Sequence, residues 1–214
     1  MRIDVWSDMV CPWCYLGHRR LALALEELAA EGLDDIDVHW HAFELDPRAP
    51  SEPGDLRAVL EKKYGPGAFE TMTGRLGALG AEAGIDYRFD LAQRVNTFDA
   101  HRVAAFAATA GGDVQDRVVD RLFRAYFSEG ADLSDHGVLS ALAAETGLDG
   151  HEVAGMLAGD DLVEQVRADE AMAHDLGVGG VPAFVIERQF LVSGAQDTET
   201  FVRLLRRAAG SAAG

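Results

Sequence analysis

Two thiols two residues apart are the groups in this chain best suited to covalent chemistry. Cys11 and Cys14 bracket Pro12-Trp13, and the sequence contains no other cysteine. A four-cysteine zinc site cannot be assembled from them, and one bridge closing so short a loop is not a disulfide framework. The spacing suits thiol–disulfide exchange, in which one sulfur attacks and the other closes back onto it. Two other readings stay open on residue types alone. His18, four residues after Cys14 on the same helical face, could complete a Cys-Cys-His zinc cluster, or both thiols could be buried and inert.

The flanking sequence positions the pair. Ile3 to Trp6 alternates weakly and stops at Ser7-Asp8, which reads as a short first strand. A helix follows from Trp13 to Ala30, with apolar residues at Leu16, Leu21, Leu25 and Leu28 and a stop at Gly32. Pro12 fits its first turn, where a missing N–H costs nothing. Cys11 therefore stands at a helix N-terminus, where free amides and the macrodipole favour an anion, and is expected to be the exposed nucleophile. Cys14, one turn on and facing inward, is expected to be the resolving thiol.

The rest of the chain changes period twice. Residues 36–43 alternate as a second strand. Helical periodicity then holds from Pro50 to Gly179, with helices expected at 54–64, 66–84, 97–110, 114–128, 135–146, 149–158 and 160–176. Ser134 and Asp160 are placed as N-caps. Strand chemistry returns at 183–187 and 190–192 as a hairpin across Arg188-Gln189, and an amphipathic helix over 197–209 precedes a fraying tail at 210–214. The order is β-α-β, a helical block, then β-β-α. Val181-Pro182 opens the third strand. A proline there is a plain trans strand start or a cis bond that lays the Val181 backbone beside Cys11, ready to pair with an extended substrate.

Composition narrows the partners. Lys and Arg number 19 against 36 Asp and Glu, a net charge of −17 that argues against nucleic acid or an anionic membrane. Hydrophobic residues make up 48% of the chain, enough for a packed core, yet no apolar run approaches the length of a membrane helix. The N-terminus Met1 to Met9 has neither the basic region nor the apolar stretch of a secretory signal, so a cytoplasmic protein is expected. No metal-ligand set is visible beyond the zinc alternative above. Monomer and homodimer are both compatible with the sequence.

These features together resemble a thioredoxin-superfamily protein of the DsbA-like type. The nearest likeness is to the FrnE-type subgroup, related to 2-hydroxychromene-2-carboxylate isomerases and kappa-class glutathione transferases. The likeness is carried by Ser7 through Gly17, His41 through Pro47, Asn96-Thr97 with Ala100-His101-Arg102, Leu122 through Phe127, and Gly177 through Gln196. It implies an α/β thioredoxin fold with a large all-helical insertion between the second and third strands. Residues 1–48 and 178–214 would form a discontinuous thioredoxin-like domain, and 49–177 the insertion.

It further implies Cys11 as nucleophile, Cys14 as resolving cysteine and Pro182 as the cis-proline of a substrate groove. Trp13, Phe43, Asn96, His101, Val181 and Gln196 are the candidate groove residues. Phe43 has a competing role in the core, Asn96 as a helix cap and His101 as a hydrogen-bonded structural histidine. The isomerase and transferase relatives carry serine at the Cys11 position and bind glutathione. Here a second thiol follows, and Ala195-Gln196 stands where those relatives grip the γ-glutamyl end. The implied activity is therefore thiol–disulfide exchange on protein or small-molecule partners, with no cofactor required and with glutathione or another low-molecular-weight thiol as a compatible redox partner. The alternatives are an isomerase or transferase acting on an aromatic or polyketide-like molecule with a thiol cofactor, and a non-catalytic or chaperone-like binding module.

Overall fold

The computed structural model describes residues 1–212, with side chains through 210. Strand β1 (Arg2–Ser7) leads into helix α1 (Pro12–Ala30) and back to β2 (Asp37–Ala42). The helical block then contributes α2 (Leu56–Tyr64), α3 (Ala68–Glu82), α4 (Phe98–Thr109), α5 (Val114–Glu129), α6 (His136–Glu145), α7 (Gly150–Ala158) and α8 (Val163–Asp175). The hairpin β3 (Ala183–Ile186) and β4 (Phe190–Ser193) and helix α9 (Thr198–Ala212) complete the chain.

The sheet has the order β2-β1-β3-β4. β1 and β2 run parallel, as a strand pair joined by a helix must when the crossover packs on one face. β3 returns antiparallel to β1 and pairs with β4. The central strand β1 is buried on both faces: Ile3 and Val5 enter the main apolar cluster, while Trp6 joins a second one with Ala173, Val178, Ala183 and Val185. The main cluster is continuous from the sheet through Leu16 and Leu21 of α1 to Val103, Leu122 and Phe123 of the helical block. The inserted helices and the sheet therefore share one core, so the block can hold side chains rigidly against the start of α1.

The helix pattern read from periodicity agrees with the structure to within a few residues at every element. The expected caps need correction. Asp135, not Ser134, caps α6, its carboxylate accepting from Val138 N at 2.9 Å. The Ser134 hydroxyl is engaged by Asp132 and the Ser51 carbonyl instead. Asp160 does not cap α8 either; the chain passes through a turn, and Leu162, with φ 64°, takes the capping position without a side-chain bond. The C-terminal helix continues through Gly210 to Ala212 rather than fraying from 210, and residues 213–214 lie outside the described part. The hairpin turn is built by Glu187 and Arg188, both at positive φ (51° and 56°), a twist that matches the flanking strands.

Candidate active site

Strand β1 ends at Ser7, and a tight turn delivers Cys11 as the N-cap of α1, its N–H donating to the Asp8 carbonyl at 3.0 Å. Pro12 takes the first helical position. The Cys11 carbonyl accepts from Cys14 N at 3.0 Å and Tyr15 N at 3.2 Å, so the helix is wound tightly from its first turn. Both cysteines are free thiols. The Val181–Pro182 peptide bond is cis, and the Val181 carbonyl lies 3.8 Å from Cys11 Sγ as an acceptor. Pro182 and Phe184 sit directly against α1 at Gly17: a Cβ there would stand 3.2 Å from each ring, so glycine is what allows the helix and the Pro182 loop to meet this closely.

The expectation of an exposed Cys11 is overturned. The residue is only 4% exposed and belongs to the main apolar cluster. The cover comes from parts of the chain remote in sequence, including the Val181–Pro182 loop and the helical block. Tyr87, between α3 and α4, lies across Gly80 and donates its hydroxyl to the Pro12 carbonyl between the cysteines. Burial, with both cysteines nearby, pushes that hydroxyl well up. Trp13 is half-buried beside the pair with the Arg75 guanidinium of α3 over its ring at 5.7 Å.

The two sulfurs are not equivalent. Burial is the main influence on Cys14, followed by its contact with Cys11, and both raise its thiol well above the usual range. The Asp8 backbone and the Ser7 hydroxyl are close enough to act on its charge in the opposite direction, and burial wins. Cys14 is therefore held as a protonated thiol next to a partner at the mouth of a helix.

The other sequence candidates divide. Val181 and Pro182 lie at Cys11, as described. Phe43 is partly buried against the second apolar cluster, as Val181 also is. The Asn96 side chain accepts from Phe98 N at 2.9 Å and reaches the Ala49 carbonyl, holding the entry to α4. Gln196 folds back onto the Ser193 carbonyl at 2.7 Å. His18 faces α5, with Asp116 and Asp120 at 3.4 and 3.5 Å, and among the described residues no group of three His, Cys, Asp or Glu side chains is placed to hold a metal ion.

His101 is buried, and its Nε2 lies 3.5 Å from Asp8 Oδ1. Sequence reasoning found His101 but assigned nothing to Asp8, to Ser7 or to Tyr87. The first two carry a signal, a polar pair ending the strand three residues before the first thiol. Tyr87 carries none, because only the packing of the block brings it to Pro12.

A four-stranded mixed sheet carrying a Cys-x-x-Cys dithiol at the start of its first helix, opposite a cis-proline, defines a thioredoxin-type protein with a helical insertion. Residues 2–206 match the DSBA-like thioredoxin domain, and the chain belongs to that family. Among solved structures it is similar to a probable DsbA oxidoreductase, SCO1869, from Streptomyces coelicolor: 37% identity, TM-score 0.89, covering 98% of this chain and 90% of that one. The fold is shared with a 2-hydroxychromene-2-carboxylate isomerase (18% identity, TM-score 0.70, 100% and 96% covered). It is also shared with the cytosolic disulfide reductase DsbM of Pseudomonas aeruginosa in a structure with GSH (21% identity, TM-score 0.69, 97% and 98% covered).

Proposed function

We propose that this protein is a thiol–disulfide oxidoreductase that works through the Cys11–Cys14 pair. The observation that carries the reading is the asymmetry of two adjacent free thiols. Cys11 caps a helix and touches the Val181 carbonyl, while Cys14 is buried behind it with its thiol held protonated. Cys11 attacks a substrate disulfide and forms a mixed disulfide, releasing one substrate thiol. Cys14 then attacks Cys11, the Cys11–Cys14 disulfide forms and the second substrate thiol leaves. In the reverse direction the oxidised pair accepts attack from a substrate thiol. The Val181 backbone and the Trp13 face line the approach to Cys11 and orient an extended protein segment or a small disulfide.

A second thiol within contact of the first supports this reading over an isomerase or transferase, which needs a single activated thiol. A cytoplasmic setting with glutathione or a similar low-molecular-weight thiol as electron partner fits the neighbour described as a cytosolic disulfide reductase. The test is reduction of insulin disulfides by the full-length protein. Cys11→Ser should fall to the uncatalysed rate, and wild-type turnover by that variant would refute the assignment. A Cys14→Ser variant that turns over normally on an aromatic small molecule would instead favour the isomerase reading. Glutathione as sole reductant should sustain turnover, and failure with it alone would exclude only that electron partner.

A further inference from the structure

A chain with a net charge of −17 keeps the segments around its dithiol almost free of carboxylates. Three stretches meet there: residues 9–25, which hold both cysteines and most of α1, residues 71–81 of α3, and residues 176–186, which hold the Val181–Pro182 loop and β3. None of the 36 Asp and Glu residues falls in any of the three. Besides the buried His18, their only charged side chains are Arg19, Arg20 and Arg75. Asp8, in the turn before Cys11, is fully buried, and Asp86, beside Tyr87, has Arg88 as a neighbouring cation.

Arg75 is the cation placed at the pair. Its guanidinium lies 5.7 Å from the ring centroid of Trp13, one of the two residues between the thiols. Trp13 is half-buried and Arg75 is exposed. That ring contact is the one interaction Arg75 makes with the described residues; no carboxylate or carbonyl holds it. Its neighbours three and four positions away on α3 are Thr71, Met72, Ala78 and Leu79, so its own helix offers no acidic partner. Arg57 of α2 makes the contrast: it too stands over a ring, that of Phe69, but Glu70 takes its charge. A guanidinium stacked by its face keeps the N–H donors at its edge, and that planar fork matches a carboxylate.

We propose that Arg75 is the specificity-determining residue of the dithiol and selects small disulfides that carry a carboxylate a few bonds from the reacting sulfur. The inference rests on the oxidoreductase reading and names its substrate class. The carboxylate binds the Arg75 edge while the disulfide lies along the Trp13 face toward Cys11 and the Val181 backbone. Arg75 takes no part in bond exchange. Cys11 attacks one sulfur, the substrate S–S bond breaks and the other sulfur leaves with the electron pair, after which Cys14 displaces the bound half in the same way. A small ligand fits better than an acidic protein. At physiological salt charges are screened over about 8 Å, so a small molecule at Arg75 meets mainly the local cation, whereas an acidic protein would face the rest of an acidic surface.

The test compares three alkyl disulfides of like size and different charge: 3,3′-dithiodipropionate (anionic), bis(2-hydroxyethyl) disulfide (neutral) and cystamine (cationic). Reduced full-length protein is mixed with an excess of each, samples are quenched in acid and alkylated, and the remaining free thiols are counted by mass spectrometry. Dividing each variant's rate by that of the wild type cancels the intrinsic reactivity of the disulfides. An exposed ion pair is worth a few-fold, so Arg75→Gln should lower the anionic-to-neutral rate ratio about threefold. Arg75→Glu should lower the anionic-to-cationic ratio about tenfold, because attraction and repulsion both reverse.

Arg75→Lys keeps the charge and should restore most of the anionic-to-neutral ratio. The wild-type preference should shrink between about 0.01 M and about 1 M salt, over which the screening length falls from about 30 Å to about 3 Å. Equal slowing of all three disulfides in Arg75→Gln would mean that the side chain only packs on Trp13. Ratios unchanged in Arg75→Glu would mean that the carboxylate never reaches it. Either result would overturn the proposal and leave the oxidoreductase reading standing. Loss of no thiol to any of the three disulfides in the wild type would instead remove the oxidoreductase reading itself.

Discussion

Two histidine–carboxylate sites, one partly and one fully buried, place His41 and His101 on the same small cavity, and they are built to opposite standards. Around His41 every group is satisfied. Nε2 meets Asp4 Oδ1 at 2.8 Å, Nδ1 meets Asp169 Oδ1 at 3.1 Å, and the second Asp169 oxygen accepts from Ala42 N at 3.2 Å. The ring stacks on Trp6 at 4.6 Å, and the Trp6 indole donates to the Asp169 carbonyl. Around His101 the contact to Asp8 is 3.5 Å and both facing atoms are without hydrogen bonds. The first site ties α8 to β1 and β2. The second joins α4 to the turn between β1 and α1 and leaves two polar atoms without a hydrogen bond. A complete network fixes architecture, whereas an incomplete one ties its elements together less firmly.

The comparison breaks most visibly if Asp169 is removed. Asp169→Ala strips His41 and Ala42 of a buried partner and should cost about 3–5 kcal/mol of stability, measured by urea unfolding. The rate of insulin-disulfide reduction should be unchanged in the folded protein. A loss below about 1 kcal/mol would mean that the His41 network is not the clamp described here. Next in size is Gly17→Ala, which places a methyl against Pro182 and Phe184. Overpacking of this kind should cost about 1–3 kcal/mol, and the shifted Pro182 loop should also slow attack by Cys11. Full stability with wild-type attack would show that the α1–Pro182 contact is slack.

A smaller, pH-dependent effect sharpens the contrast. Burial alone would depress His41, but its hydrogen bonds to Asp169 and Asp4 outweigh burial and raise it. A histidine with a raised folded value contributes stability that is fully present below its unfolded value of about 6.5 and is lost as pH rises through the folded value. Asp4 is opposed by burial but held low by Arg2 and His41, so its contribution is present above about 3.9 and is lost as pH falls through its folded value. Stability should therefore be greatest in the mildly acidic range and decline above about pH 6.5, and His41→Gln should flatten that alkaline limb. An alkaline limb unchanged in His41→Gln would place the titrating group elsewhere. The smallest effect belongs to the α6 cap: Asp135→Ala should cost about 1 kcal/mol and leave insulin-disulfide reduction untouched. A changed rate would reveal coupling between α6 and the dithiol.

Much of the fold was legible because local rules and tertiary packing agree. Pro12 at the first helical position, the alternation of residues 36–43 and the helical period of the long block all have local causes. Where they failed, a neighbour decided. Ser134 and Asp135 are both competent caps, and the Asp132 carboxylate took the serine.

The site was legible to the extent that it is contiguous: the two thiols and their place at the start of α1 follow from one strand–turn–helix, whereas the expected contrast between an exposed and a buried thiol does not hold. Val181-Pro182 carried a signal as well, a proline at a strand start. The burial of Cys11 did not, because Val181 and the helical block reach it from far along the chain. The Asp8–His101 contact was equally hidden, since only the packing of α4 against the Ser7–Asp8 turn brings the two side chains together. Asn96 shows the limit of both readings: Thr97 takes the N-cap position of α4 without a side-chain bond, and Asn96, one residue earlier, accepts from Phe98 N and reaches the Ala49 carbonyl.

The central claim is that Cys11 attacks and Cys14 resolves. Cys14→Ser protein incubated with a peptide disulfide, then digested without reduction and mapped by mass spectrometry, tests it most directly. The account predicts a stable peptide adduct confined to Cys11, abolished by Cys11→Ser. No adduct on Cys11 in folded Cys14→Ser protein, or an equally abundant adduct on Cys14 when Cys11 is replaced, would contradict it.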